Sequence, residues 1–204
     1  MRSVDLVARA LAFCLLIAAW ADSNAVDFVA PSTDGWHVWK IEASQDGAHN
    51  CCYSINGGNL AIQGCDLDGG GGHTVSQGDC ELDSSHINIY VRITDGKTTR
   101  IRALDSNCPV STKNPINSIG AVDASSSAAW LLQQVDLADG ERRISEDAMA
   151  AISKHRADIA LLTLTGILED RDRRQKIREQ ALFWLAQIES DAAFEYLDAL
   201  LSRT

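Results

Sequence analysis

Apolar and polar positions change period along this chain: they alternate up to Leu104 and recur every three or four residues from Ser126 onward. From Gly35 to Ala43 the alternation puts Trp36, Val38, Lys40 and Glu42 on one face of a predicted strand and His37, Trp39, Ile41 and Ala43 on the other. Residues 50–55 and 59–63 flank Asn56-Gly57-Gly58, a turn sequence that tolerates positive φ, and predict a hairpin. A second hairpin is predicted from 87–93 and 98–104, rich in β-branched residues and joined through Asp95-Gly96. Residues 66–79 hold five glycines and almost nothing apolar, which reads as a long surface loop.

In the second half, Ala128, Leu131, Leu132 and Val135 fall at helical spacing within 126–137, behind a run of N-cap residues from Asp123 to Ser127. Gly140 ends that helix, and Ser145, followed by Glu146 and Asp147, reads as the N-cap of the next. Further helices are predicted over 158–169, 174–189 and 191–202. Shifting the region against itself by 33 residues keeps it in register. Ala148 falls on Ala181, Met149 on Leu182, Ile152 on Leu185, Asp158 on Asp191 and Ala160 on Ala193. Leu164 falls on Leu197, Ile167 on Leu200 and Leu168 on Leu201. Two unrelated amphipathic helices would share the apolar stripe, but not the alanines and turn aspartates as well. The pattern is a repeated helical hairpin. His155 falls on Ile188 and so reads as a half-buried packing residue rather than a catalytic one.

The first 21 residues read as a cleavable signal peptide, with Arg2 in the n-region and an uncharged apolar stretch from Ala10 to Ala19. Ala19-Trp20-Ala21 places cleavage after Ala21, with Ala25 the alternative. The stretch is shorter than the roughly 20 residues of a spanning helix, and bulky Phe13 before Cys14 argues against lipidation there. The reading predicts a periplasmic or secreted protein with no membrane span after cleavage. Its formal net charge of −10 becomes one unit more negative without the leader and opposes binding to nucleic acid or anionic lipid.

Five cysteines follow the leader, Cys51, Cys52, Cys65, Cys80 and Cys108, all in the β-patterned half. In an oxidising compartment they predict disulfides. Vicinal Cys51 and Cys52 should reach separate partners, because a bond between neighbours strains the bridge. Cys65 and Cys108 are the favoured partners, with Cys80 left free or bonded between molecules; the connectivity stays open. The rival reading is a zinc or copper site, since His49, Cys51, Cys52, Cys65, His73, Cys80 and His86 lie within 38 positions. Their spacing includes no C-x-x-C and no H-x-x-x-H. Asp66 and Asp68 open like a calcium loop but lack its closing glutamate, so a solvated turn is the simpler reading.

Ile177, Arg178, Ala181, Trp184, Leu185 and Ile188, continued by Ala193, Phe194 and Leu197, resemble the short bacterial HEAT-like repeat, V-R-x-x-A-x-x-A-L-x-x-I-G-D-P-x-A-V-x-x-L. Glu189-Ser190-Asp191 replaces its Gly-Asp-Pro turn. With Gly35 to Trp39, Cys51-Cys52, Cys65 to Asp68 and Cys108 to Val110, the chain resembles secreted bacterial HEAT-repeat proteins of unassigned activity. The expectation is therefore α+β: a signal peptide (1–21), a small disulfide-bonded antiparallel β domain (22–122) and a short HEAT-like helical segment (123–204). The resemblance implies protein binding and brings no catalytic residue. No G-x-S-x-G, H-E-x-x-H or phosphate loop is present, so the chain reads as a non-enzymatic module without a cofactor. Repeats bury their faces against neighbours, and this array ends after about two hairpins. Phe183, Trp184, Phe194 and Tyr196 read first as packing between hairpins. The last helix, with Phe194, Tyr196, Leu200 and Leu201, is the expected partner surface, for another protein or for a second copy in a homodimer. The alternative is that this helix folds back on the β domain.

Overall fold

The Asp95-Gly96 turn sets the register of the sheet. Both residues take positive φ, 52° and 69°, the combination a two-residue hairpin loop requires. The Asp34 carboxylate accepts from both their backbone N–H groups. In this computed structural model, residues 28–43, 51–56, 59–62, 65–69, 85–138 and 142–202 are described. The leader at 1–21 and His49, His73 and Cys80 lie outside them. The turn joins β5 (His86–Thr94) to β6 (Lys97–Asp105). β5 pairs antiparallel with β1 (Gly35–Glu42), and β1 pairs parallel with β8 (Ile116–Ala121). The sheet order is β6-β5-β1-β8. Smaller pairings are the hairpin of β2 (Tyr53–Asn56) and β3 (Asn59–Ile62), and the parallel pair β4 (Cys65–Asp66) and β7 (Val110–Ser111).

The expected antiparallel domain is therefore corrected to a mixed one. After β6 the chain crosses the sheet face through Cys108 and β7, then re-enters beside β1 running the same way. Neither β7 nor β8 shows a clear alternation in the sequence. β7 is two residues long, and β8 is an edge strand with Gly120 at φ 95° beside a register shift.

Both faces of the sheet are covered. Trp39 and Ile41, Ile87, Ile89, Val91 and Ile93, and Ile101 and Ala103 point to the helices. Trp36, Tyr90 and Leu104 point the other way, into a second core with Cys51, Cys52, Cys65, Leu67 and Cys108. The helices are α1 (Ala124–Leu137), α2 (Arg142–Ile152), α3 (Ala157–Glu169), α4 (Gln175–Leu185) and α5 (Asp191–Leu201). Asp123 caps α1 by accepting from the Ser126 N–H, and Ser190 caps α5 by accepting from the Ala193 N–H. Ser145 is no N-cap: it lies inside α2, buried, because that helix starts one turn earlier at Arg142. α1 packs on α2 and α3, α2 on β6 and α4, and α3 on α4 and α5.

One apolar cluster runs from Trp39 and Ile89 through Trp130, Leu131, Met149 and Ile152 to Leu164, Leu185 and Ala193. It crosses residue 122 without interruption, so the β and helical segments share a core. Positions related by the 33-residue shift match in burial at Ala148 and Ala181, Ile152 and Leu185, and Ala160 and Ala193, all fully buried.

Candidate functional site

On the sheet face away from the helices, Cys51 is bonded to Cys108 and Cys52 to Cys65. Three sulfurs of the zinc or copper alternative are therefore held in disulfides and are not thiolate ligands in this form. The Cys52–Cys65 bridge spans the β2–β3 hairpin, and the Cys51–Cys108 bridge ties the end of β6 to the start of that layer. Arg102 of β6 extends over this layer and donates to Cys52 Sγ at 3.6 Å.

Asp68 organises the same face. Its carboxylate accepts from Trp36 Nε1 (2.9 Å), Thr112 Oγ1 (2.8 Å) and the Lys113 N–H (2.7 Å), with Arg92 at 3.2 Å. These hydrogen bonds, Trp36 first, hold its carboxyl well below the usual range, at about 2. Arg100 donates to the carbonyls of Leu67 and Gly69. The Asp66–Asp68 turn is therefore a structural clasp, with one carboxylate committed to three elements. The sequence shows the acids, but the donors come from residues 24 to 45 positions away.

A second polar joint lies in the main core. His155 is fully buried, not half-buried as its repeat position suggests. Its backbone bridges Ala43 at the end of β1, and its ring lies between α1 and α2. The Ala151 carbonyl, 3.0 Å away, can only accept, so Nδ1 carries the proton. Nε2 then accepts from the Ser127 hydroxyl at 3.0 Å, and Ser127 Oγ accepts from Trp39 Nε1 at 2.8 Å. Every polar atom of the chain is used, and burial pushes the imidazole down to about 4. A buried neutral histidine with both nitrogens engaged is a joint between sheet and helices, not a general base.

A groove of about 460 Å³ at the sheet edge is lined by Glu42, Ser85, His86, Arg156 and Asp158. Ser85 Oγ lies 2.9 Å from His86 Nδ1. Arg156 is committed to Asp158 through two hydrogen bonds. Sequence reasoning missed this groove, because its residues come from three separate elements.

The predicted partner surface divides in two. Tyr196 is half-buried against the core and its hydroxyl donates to Glu169 of α3, and Leu200 is also half-buried. Phe194 and Leu201 are 72% and 73% exposed and lie seven residues apart on one stripe of α5. α5 packs on α3, not back on the sheet. Phe183 of α4 is also exposed, its ring 5.1 Å from Trp184. Among the described residues no helix is long and apolar enough to cross a membrane. The chain matches no protein-family model, no curated protein and no solved structure.

Proposed function

We propose that this chain is an exported, non-enzymatic interaction module, in which α2–α5 form a short HEAT-like array whose last hairpin receives another protein or a second copy. The observation that carries the reading is the change in exposure between equivalent positions. Leu161, Leu164 and Ile167 of α3 pack in or against the core, whereas Phe194 stands 72% exposed and Leu197 and Leu200 are only half-buried. A repeat buries this face against the next repeat, so a surface of this kind fits a partner. The two disulfides support a compartment outside the cytoplasm.

The test is sedimentation of the purified chain, with crosslinking in the cell envelope, beside a Phe194→Glu, Leu201→Glu variant. Both side chains point outward, so the variant should keep the native circular dichroism. Association by the wild type and its loss in the variant is the expected result. A wild type that stays monomeric at high concentration and gives no crosslink dependent on these residues would refute the reading.

A further inference from the structure

The register of the repeat also bears on what the open end binds. Shifted by 33 residues, Leu162 and Thr165 of α3 correspond to Glu195 and Asp198 of α5. Where the inner helix has uncharged residues, the terminal helix has carboxylates, and Asp191 adds a third in its first turn. All three are exposed, and α5 contains no basic residue between Asp191 and Leu201. At 100° per residue, Phe194 and Leu201 fall about 20° apart on the helix circumference, with Leu197 on their inner side and Asp198, Asp191 and Glu195 in sequence on their outer side. The end is thus an apolar stripe with an acidic rim.

A two-fold pairing of α5 with its own copy sets this rim against its image, and like charges placed opposite one another oppose association. The whole chain, at −10, adds to that repulsion. From this we infer that the occupant of the α5 face is a segment of a different polypeptide, amphipathic, with apolar side chains at helical spacing flanked by lysine or arginine. The inference rests on the reading of this end as an interaction surface. Apolar anchors seat the segment along Phe194, Leu197 and Leu201, and the rim selects its charge and speeds its approach.

Two labelled synthetic helical peptides serve as probes. Both carry leucine at i, i+3 and i+7, one with flanking lysines and the other with flanking glutamates. Anisotropy at low salt should show the lysine probe binding the full chain and the glutamate probe not binding. Glu195→Lys with Asp198→Lys should weaken the lysine probe about tenfold and admit the glutamate probe. The same reversals at Glu42 and Asp172, exposed acids on other elements, should leave both probes unchanged. Equal binding of the two probes, or equal effects of the two pairs of reversals, would overturn the inference. Sedimentation separates this from the underlying reading. A wild-type dimer dissociated by Phe194→Glu keeps the interaction surface and overturns the basic partner, whereas absence of both self-association and probe binding overturns both.

Discussion

Acid should loosen the joint between sheet and helices through one residue. His155 is held neutral, with Nδ1–H on the Ala151 carbonyl and Nε2 accepting from Ser127, which in turn accepts from Trp39. Protonating Nε2 converts that acceptor into a donor and removes the acceptor for the Ser127 hydroxyl, in a site without solvent. With a folded value of about 4 against 6.5 in the unfolded chain, the unfolded state binds the extra proton first. Stability is complete above about pH 6.5 and is lost as pH falls toward 4. The linkage is worth about 2 kcal/mol at pH 5 and approaches about 3 kcal/mol at pH 4. Asp147 on α2 has the opposite sign. Burial raises it to about 6, against the pull of Arg143 and Arg102, so its stabilising contribution is present at low pH and lost as pH rises through 6. About a third of that side chain is exposed, which reduces its weight, but the two slopes still oppose each other between pH 4 and 6.

The pH profile of the wild type alone is therefore flattened, and the informative quantity is a difference. His155→Leu fills the site with the kind of side chain found one repeat later at Ile188 and removes only the imidazole titration. Urea unfolding of both chains at pH 7, 6, 5 and 4.5 should give a gap that shifts in favour of the variant by about 2 kcal/mol between pH 7 and 5. Parallel stability curves for the two chains would show that the imidazole is not buried neutral, and the proposed network would be wrong.

Leu185→Ala should cost about 2–5 kcal/mol, since Leu185 is fully buried in the cluster shared by sheet and helices. Because that core is continuous, helical circular dichroism and the near-ultraviolet signal of the tryptophans should be lost at one urea concentration, and two separate transitions would indicate two cores. Asp68→Asn should lower the urea midpoint at pH 7 by weakening the clasp on Trp36, Thr112 and Lys113. The difference from wild type should narrow as pH falls below about 4 toward the folded value near 2, and a midpoint unchanged at pH 7 would remove the clasp as a stabilising element.

Much of the chain's local structure was legible from short-range chemistry. Asp95-Gly96 fixed one hairpin because few sequences tolerate two successive positive φ angles. Alternation placed Trp39 and Ile41 on one face of β1, and the three-to-four spacing with Asp123 located α1. The 33-residue shift identified the positions buried in both hairpins, because a repeated packing environment selects the same residue sizes. The vicinal cysteines excluded a bond to each other, although their partners remained open until the structure joined Cys51 to Cys108 and Cys52 to Cys65.

What only the tertiary structure decided depends on residues far apart in the chain. The parallel entry of β8 follows from the path of the chain across the disulfide face, which periodicity does not encode. Trp36 and Trp39 are both buried, on opposite faces, because the disulfide layer covers one side and the helices the other; alternation alone reads as one buried face. His155 occupies a position the repeat assigns to an aliphatic residue. Its partners Trp39 and Ser127 lie on other elements, and their convergence on the imidazole turns a packing position into a polar joint. Tyr196 and Phe194 are both aromatic residues of α5 and cannot be ranked from sequence. The Glu169 carboxylate on α3 engages one hydroxyl, and the rotation of α5 on α3 leaves the other ring in solvent.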